Sequence, residues 1–395
     1  MKPMMLRTSC RKTRRWPSRV AAWAGAIMLA MTAGIGSGAE PSQNKAEWPM
    51  FRGDQGFVGV TDQDLPASPK SLWKFRAKGG FTGSPIVAGG RVFAADSSGF
   101  VYALQFASGS EIWKRELPDA IEATPLVVDS VLYVGCLDGS FHALDAATGE
   151  VKWKFATGEK IVGAANFYRV KDRKAPLIFV GSYDNKMYAL DGGSGEKVWE
   201  FETSNWINGA PAVADGKVVF GGCDSEVHVV DAATGKEDTA VSGGAQIAGS
   251  IAVANGSAYY GHYQNEVVRV DLKDGKHLWS YADRDKAFFS TPAVTKDRVV
   301  IGGRDTRVHC LDRETGKAIW TFATKDEVDS SPVVSKDKVL VGSNDGRLYM
   351  LGLADGKELW SFDTGGSITA SPAVVNGRIV IGDSNGTLYM FGAKP

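Results

Sequence analysis

Few residues in this chain have types suited to chemistry, and most of those recur at fixed places in a sequence repeat. Three histidines share one repeat position, which other copies fill with tyrosine or valine: His142, His228 and His309. Five aspartates share another: Asp138, Asp184, Asp224, Asp305 and Asp345. Alternation of His with Tyr indicates a flat amphipathic ring. A lone Asp in a tight turn caps backbone N–H groups, whereas calcium needs about six or more converging oxygens. We therefore predict neither a catalytic residue nor a metal site.

Residues outside the repeat pattern are better candidates for binding. Trp206 is the only tryptophan of the repeat region outside the regular tryptophan position, and it falls in a loop that leads into an inner strand. It is either a hydrophobic plug of a central channel or a stacking platform for a ligand. The aromatic stretch from Tyr259 to Tyr263 is a second departure, and its His262 is the one histidine that the repeat does not explain.

A variable position stands three residues before the proline of each repeat. The residue before it is always apolar, so we expect a buried side chain beside one that faces the rim of a central funnel. Through the repeats the variable position reads Thr82, Glu122, Val162, Asn208, Ala248, Phe289, Asp329 and Thr369. We predict ligand or partner contacts at seven residues: Glu122, Trp206, Asn208, His262, Tyr263, Phe289 and Asp329.

A repeat of about 40 residues must position these side chains. It is marked by seven tryptophans, and Thr239 stands where an eighth is due: Trp73, Trp113, Trp153, Trp199, Trp279, Trp320 and Trp360. Short β-branched and aromatic runs between Gly-bearing turns indicate four strands per repeat, which is typical of propeller blades. Eight inner strands can be counted. We predict an all-β, eight-bladed β-propeller of four-stranded antiparallel blades, with seven blades as the alternative if one repeat is too degraded.

The two ends of the repeat region supply complementary parts of one blade. The sequence stops at Pro395 without the outer strand of its eighth repeat, and Leu72–Phe75 reads as an outer strand with no blade before it. Pairing the two would close the ring and remove an exposed sheet edge. The repeated tryptophans are expected to wedge between blades and to serve stability. A glycine stands in the turn before six of them and before Thr239, where positive φ is expected.

The first 39 residues have the composition of a secretory signal. Seven basic residues and no acid precede an apolar run from Val20 to Ile35, followed by small residues up to Ala39. The run is shorter than the roughly 20 residues that span a bilayer. We predict a signal peptide at 1–39, an N-terminal segment at 40–70 and a propeller at 71–395. The product would be soluble and exported to the periplasm or beyond, by the general or the twin-arginine route.

The charge of the chain limits the kinds of partner that we expect, and its cysteines limit the disulfides that could form. Residues 1–39 hold 7 of the 45 basic residues and none of the 45 acidic ones, so the remainder has a formal charge of −7. This balance argues against a nucleic-acid or anionic-membrane partner. Three widely separated cysteines remain, so no disulfide framework is expected: Cys136, Cys223 and Cys310. We expect a monomer with no stable membrane insertion.

The repeat resembles the pyrroloquinoline-quinone (PQQ)-type repeat family over about residues 70–393. The similarity rests on the phrase Ala146-Ala-Thr-Gly-Glu-Val-Lys-Trp153 and on the Tyr-Ala-Leu-Asp and Ser-Pro-Ala-Val phrases. The segment Trp48-Pro-Met-Phe-Arg-Gly53 also looks like the start of secreted bacterial members. The resemblance implies one of two functions. Quinoprotein dehydrogenases use PQQ with calcium, a catalytic Asp and often adjacent cysteines, whereas the propeller lipoprotein of the outer-membrane β-barrel assembly machinery has no cofactor and binds partner proteins.

The chain departs from both branches. It has no adjacent cysteine pair, no recognisable calcium ligand set and no large insertion between blades, and it lacks a lipid-bearing cysteine. We therefore predict an exported, non-catalytic scaffold with no cofactor, which binds a protein or peptide partner at its loop faces. A small PQQ-dependent dehydrogenase and an outer-membrane assembly-type scaffold remain as alternatives.

Overall fold

Residues 47–394, which the computed structural model describes, form a closed ring of eight antiparallel sheets. One turn of 3-10 helix at Phe51–Gly53 is the only helical element in this range. The eight-bladed, all-β prediction is confirmed, and the seven-bladed alternative is wrong. The predicted signal peptide lies outside the described residues. Within them, no helix has the length and apolar character needed to cross a membrane.

Blades are numbered 1 to 8 in chain order, with strands given from the axis outward. Blades 1 and 2 contain Ile86–Ala88, Arg91–Ala95, Phe100–Gln105 and Glu111–Glu116, then Leu126–Val128, Val131–Gly135, Ser140–Asp145 and Val151–Ala156. Blades 3 and 4 contain Asn166–Tyr168, Leu177–Gly181, Lys186–Asp191 and Lys197–Glu202, then Ala212–Ala214, Lys217–Gly221, Glu226–Asp231 and Glu237–Ser242.

The second half of the ring follows the same order. Blades 5 and 6 contain Ala252–Ala254, Ser257–Gly261, Val267–Asp271 and His277–Tyr281, then Ala293–Val294, Arg298–Gly303, Arg307–Asp312 and Ala318–Ala323. Blade 7 contains Val333–Ser335, Lys338–Gly342, Arg347–Gly352 and Glu358–Asp363, with Val60–Thr61 added in parallel on its inner side. Blade 8 contains Ala373–Val375, Arg378–Gly382 and Thr387–Gly392, and Lys70–Arg76 is its outermost strand.

The blade pattern follows from local sequence. The second strand of blade 1 is buried from Val92 to Ala95 because sheets cover both of its faces, whereas the outer strand alternates and turns Trp113 inward. The first hairpin of blade 8 has positive φ at both Asn376 and Gly377, at 52° and 69°. This is the type I′ geometry that matches the twist of the flanking strands.

The ring closes as the sequence predicts. Lys70–Arg76 pairs antiparallel with Thr387–Gly392, and Phe75 lies opposite Leu388. At the axis, the first strands of blades 8 and 1 are in contact. The amide of Ser371 also donates a 2.9 Å hydrogen bond to Ser84 Oγ across this junction. The last blade is therefore built from both ends of the repeat region and leaves no open edge between them.

The repeated tryptophans wedge between blades. Trp113 lies against Gly149 of the next blade, whose φ is 73° and whose added Cβ would fall 2.7 Å from the indole ring. Its Nε1 donates to the carbonyl of Ala146 at 3.2 Å. The same N–H···O=C bond is made by six tryptophans: Trp73, Trp113, Trp153, Trp199, Trp279 and Trp320. Shape and hydrogen bonding at these tryptophans thus hold neighbouring blades together.

A second repeated contact crosses the interfaces between blades, which we call seams. In six seams an aromatic ring of one outer strand meets a ring of the next blade edge to face, with centroids 5.1–5.8 Å apart and planes at 60–65°. The pairs are Phe75–Tyr102, Phe155–Tyr188, Phe201–His228, Tyr281–His309, Phe322–Tyr349 and Phe362–Tyr389. This packing explains why His alternates with Tyr. The seam between blades 4 and 5 lacks both devices, because Thr239 replaces the tryptophan and Val241 and Val268 hold the two ring positions.

The segment before the first outer strand runs around the inside of the ring and bonds to every blade in turn. We call residues 48–63 the axial strap. Six inner-strand amides donate to strap carbonyls at 2.7–2.9 Å: Val87, Val127, Val213, Val253, Val294 and Val334. The strap bonds to the two remaining blades through side chains. Gln55 Nε2 donates to the Phe167 carbonyl, and Gln63 Nε2 donates to the Val374 carbonyl. The sequence did not predict this role for the N-terminal segment.

Arg52 anchors the strap at the axis. It is only 1% exposed, and its guanidinium donates to the carbonyls of Pro292 and Pro332 in blades 6 and 7. Burial lowers the pKa of Arg52 to about 9. Asp54, whose Oδ1 accepts the amide of Val58 at 3.2 Å, has its pKa raised to about 6, also by burial. Its Oδ2 is buried without a hydrogen-bond partner. The strap therefore places a buried guanidinium and a carboxylate with a raised pKa two residues apart at the centre of the ring.

Asp54→Asn should change how stability depends on pH. The folded pKa of Asp54 is raised from 3.8 to about 6, so its contribution to stability is fully present below about pH 4 and is lost as the pH rises through about 6. The free energy of unfolding of the variant relative to wild type should therefore rise by about 1–3 kcal/mol between pH 4 and pH 7. Urea unfolding across this range measures the difference. The exposed Asp172→Asn is the control, and an equal pH dependence of both variants would contradict the prediction.

Candidate functional site

A cavity of about 170 Å³, which we call the funnel, lies on the ring axis. All eight residues of the variable position line it, as expected, and their apolar neighbours are at most 1% exposed. Phe51 of the axial strap lines the same cavity, so the strap lies at its inner end. The funnel is thus lined by the variable residue of every blade, together with the small residues that follow it and Phe51 of the strap.

Hydroxyl groups near the axis serve the scaffold. Five inner-strand amides donate to a Ser or Thr side chain of the next blade at 2.9–3.0 Å: Ser84 to Thr124, Ala210 to Ser250, Thr291 to Ser331, Ser331 to Ser371 and Ser371 to Ser84. These residues are buried. Each of these hydroxyls is therefore an acceptor in a belt that joins blades, which argues against a nucleophilic role.

Two further repeat positions form the rim of the funnel. In every blade an amide of one position donates to a carbonyl of the other at 2.8–3.1 Å. The donors are Ser97, Leu137, Tyr183, Cys223, Tyr263, Arg304, Asn344 and Ser384. The acceptors are Gly80, Ala120, Lys160, Trp206, Gln246, Ala287, Glu327 and Ser367. The backbone of the rim is therefore the same in all blades, and only the side chains distinguish them. At these two positions large aromatic residues occur only in blades 3–5, as Tyr183, Trp206 and Tyr263.

Trp206 is part of a stacked group on the rim. Its indole is 51% exposed and stacks on Tyr183, with centroids 5.2 Å apart and planes at 15°. Lys160 Nζ lies 4.3 Å from the centroid of the Tyr183 ring. Cation–π and stacking contacts of this kind hold aromatic rings in place. Because Trp206 is half exposed at the rim, it does not plug the channel; it offers a fixed aromatic surface.

A second aromatic group lies further around the rim. Tyr263, 46% exposed, contacts Phe289 with centroids 4.7 Å apart. The Arg304 guanidinium lies 4.0 Å from the Phe289 centroid and donates to both carboxylate oxygens of Asp329 at 2.9 Å. Burial raises the pKa of Tyr183 to about 12 and also raises that of Tyr263. Both phenols therefore stay protonated at neutral pH and can donate hydrogen bonds.

Six of the seven residues predicted for binding come together at the funnel and rim. They are Glu122, Trp206, Asn208, Tyr263, Phe289 and Asp329. His262 does not join them, because it is only 1% exposed and lines a separate cavity between blades 4 and 5. Sequence reasoning missed Lys160, Tyr183 and Arg304 at the rim. They occupy the same repeat positions as Trp206 and Tyr263, so comparing those positions across the repeats could have found them.

One group of potential metal ligands occurs among residues 47–394, at Asp283, Asp305 and His309. His309 Nε2 lies 3.1 Å from Asp305 Oδ1, and Nδ1 lies 3.1 Å from the Tyr281 hydroxyl. The same Asp–His pair recurs in blade 4 between Asp224 and His228. The buried pair therefore belongs to the scaffold, and Asp283 adds only an exposed carboxylate.

The funnel does not fit PQQ. Its volume of about 170 Å³ is below the roughly 300–1,000 Å³ of pockets that enclose ligands of such size. PQQ is a polycarboxylate, yet the funnel lining contains the carboxylates of Glu122 and Asp329 and no basic side chain. Arg304 is already held by Asp329. Asp329 is also engaged, so the lining offers no free set of oxygens for the calcium that accompanies PQQ.

The fold defines an eight-bladed β-propeller built from PQQ-type repeats. The family model described as outer membrane protein assembly factor BamB matches residues 56–175, 169–288 and 264–394. The chain belongs to this family, which confirms the resemblance seen in the sequence. No curated protein matches it by sequence.

Solved structures with the same fold include members of both functional branches. BamB from Moraxella catarrhalis is 23% identical with a TM-score of 0.69, covering 82% of this chain and 98% of that one. The quinohemoprotein alcohol dehydrogenase from Comamonas testosteroni is 15% identical with a TM-score of 0.77, covering 90% and 82%. The computationally designed Ika8 protein is 17% identical with a TM-score of 0.71, covering 84% and 100%. These likenesses establish the fold, which both kinds of protein share, and not the function.

Proposed function

We propose that this protein is an exported, non-catalytic scaffold that binds a protein or peptide segment at the rim of the funnel. The observation that carries the proposal is the aromatic half of the rim, where Trp206 and Tyr263 are exposed and held in place by Tyr183 and Phe289. Exposed aromatic residues with fixed orientations are the side chains that most often dominate protein–protein binding energy. Their fixed rings also lower the entropy lost on binding.

The charged groups beside these rings suit a peptide better than a small cofactor. Lys160 and Arg304 lie over the inner rings of the two aromatic groups, and Glu327 lies 3.4 Å from Arg304 on the rim. Groups of both signs around an aromatic surface resemble the polar rim around an interface core. A segment that laid an apolar side chain between Trp206 and Tyr263 would find donors and acceptors on both sides.

Selection from a random peptide library on the immobilised protein tests this proposal. Trp206→Ala should weaken binding of the enriched peptides by at least about tenfold, as expected for a central aromatic contact. Leu359→Ala is the matched control, because Leu359 is equally exposed, at 49%, but lies on the outer strand of blade 7. Peptides that bind Trp206→Ala as tightly as wild type would count against the rim as the binding surface.

The dehydrogenase alternative is tested by adding PQQ and calcium to the purified protein. We expect no quinone absorbance to be retained after desalting and no dye reduction with alcohols or sugars. Retained quinone with dye reduction would overturn the non-catalytic proposal. The unfavourable charge and the size of the funnel are the reasons for the expectation.

The family description makes the outer-membrane assembly machinery the second candidate partner. Crosslinking in intact cells, followed by purification from the envelope, should recover a defined partner with wild type and less of it with Trp206→Ala. The export part of the proposal is separate. Mass spectrometry of the mature protein should find an N-terminus at Glu40, and a cytoplasmic product that retains residues 1–39 would contradict it.

A further inference from the structure

A second cavity, of about 290 Å³, lies in the seam between blades 4 and 5. It is lined by Val241, Ser242, Gly243, Gly244, His262, Glu266, Val268, Gly275 and His277. Among the seams of the described ring this is the one that lacks both the tryptophan wedge and an aromatic residue at either ring position. The cavity therefore lies where the repeat is interrupted, and it is separate from the funnel.

Four truncated repeat positions account for the space. Thr239 stands for a tryptophan, Val241 for a Phe or Tyr, Gly243 for a Thr and Val268 for a Tyr or His. The effect is visible at Gly275. At the corresponding glycines of six other seams an added Cβ would meet an indole ring, whereas at Gly275 it would meet only Val241, at 3.3 Å. An aromatic pair and an indole are missing from one place.

A buried polar group that makes no hydrogen bond faces this space. His262 is 1% exposed, and its Nδ1 accepts the amide of Gln264 at 3.2 Å, so the ring proton is on Nε2. Nε2 makes no hydrogen bond, although Oε2 of Glu266 lies 3.3 Å from it. Burial lowers the pKa of His262, so the ring is neutral at pH 7. A protonated Nε2 cannot bind a metal ion, and a buried donor that makes no well-aligned hydrogen bond is costly.

Two other blades show what a polar side chain at this repeat position can meet. In blades 1 and 8 it holds Asp96 and Asp383, which accept hydrogen bonds from the hydroxyls of Tyr102 at 2.9 Å and Tyr389 at 3.1 Å. These tyrosines stand six residues later in the repeat, where blade 5 has Val268. In these two blades the tyrosine hydroxyl points at the repeat position that His262 occupies in blade 5, whereas in blades 3 and 7 the hydroxyls of Tyr188 and Tyr349 donate to an aspartate two positions further along the repeat, Asp184 and Asp345. In blade 5 the polar partner is present and the ring is absent.

We propose that the seam cavity binds a small neutral phenol. Its ring would take the place of the missing tyrosine ring between Val241 and Val268, and its oxygen would accept the Nε2–H of His262 and donate to Glu266. The volume suffices, since a buried apolar cavity of about 150 Å³ accommodates benzene. His277 is exposed and Glu266 is partly exposed at the cavity lining, which leaves a route from solvent.

Titration of the full chain with p-cresol, followed by ligand-observed NMR and calorimetry, tests the proposal. Toluene is the matched probe without the hydroxyl. We expect saturable binding of p-cresol, at least about tenfold tighter than that of toluene, because only the phenol satisfies His262. His262→Phe should remove this preference. Val268→Tyr restores the repeat residue, so it should abolish p-cresol binding and raise the melting temperature.

If Val268→Tyr does not fold, Val241→Phe fills the same cavity from the facing blade and should give the same two results. The proposal is overturned by absence of saturable p-cresol binding at millimolar concentration. It is equally overturned if both cavity-filling variants bind p-cresol as wild type does, or if toluene binds as tightly as p-cresol. If p-cresol bound in the funnel instead, the cavity-filling variants would still bind it. These variants therefore distinguish binding in the funnel from binding in the seam cavity.

Discussion

Arg52→Ala should lower the free energy of unfolding by about 3–5 kcal/mol, because each buried acceptor that loses its donor costs about 1–3 kcal/mol and the truncated side chain leaves a cavity. The variant leaves the carbonyls of Pro292 and Pro332 without their donor. The free energy of unfolding of Arg52→Lys should fall between those of wild type and Arg52→Ala. An ammonium keeps the charge but lacks the forked donors that reach two carbonyls. Urea unfolding measures both changes. The exposed Arg76→Ala, which loses only a bond to Thr387, is the control and should change stability by less than about 1 kcal/mol.

The same variant should loosen the strap more than the blades. Hydrogen exchange should accelerate at the six amides that donate to strap carbonyls: Val87, Val127, Val213, Val253, Val294 and Val334. Amides in the second and third strands of the blades should change only as much as the global stability does. Uniform acceleration at all strands would show that the strap does not open as a unit, and unchanged stability would show that the Arg52 contacts are not important.

Trp113→Ala should also cost about 3–5 kcal/mol, because it removes a buried indole and leaves a cavity that the blades cannot fill. It also leaves the carbonyl of Ala146 without the indole N–H. Trp206→Ala, by contrast, should change the free energy of unfolding by less than about 1 kcal/mol, because half of its surface is already in water. Comparing the two variants thus distinguishes a tryptophan that holds blades together from one that is available for binding.

The pair is measured by urea unfolding of both variants under the same conditions. Trp113→Phe keeps most of the ring and loses the Nε1 bond, so it should be milder than Trp113→Ala. Equal destabilisation by Trp113→Ala and Trp206→Ala would contradict the assignment of Trp206 to the surface. It would then point to a stabilising role for the stack with Tyr183.

Much of the fold could be predicted because the repeats act as an internal comparison. A glycine or tryptophan that recurs at one position makes the same contacts in each blade, so the positive-φ turns and the buried apolar column follow the sequence pattern, and six of the seven repeated indoles pack against such a glycine. Ring closure followed from counting, because an outer strand at one end and a missing outer strand at the other have to pair.

The candidate site was predicted in part. Six of seven proposed residues lie together because their repeat position faces the axis in every blade. His262 lies apart from them, in the cavity between blades 4 and 5. A break in the repeat shows that a residue is unusual but does not show which space it faces. Export, the monomeric state and the absence of a nucleic-acid partner stay predictions.

The amino-acid sequence by itself determined the number of blades, their strand order and the closure of the ring, because each depends on short-range patterns repeated eight times. Only the tertiary structure decided the rest. The axial strap has no repeat, and its bonds join residues up to 314 positions apart, mostly through backbone carbonyls that carry no sequence signal. The seam cavity likewise exists because four small residues from two blades come close together in the folded structure. No single position in the sequence shows that they will do so.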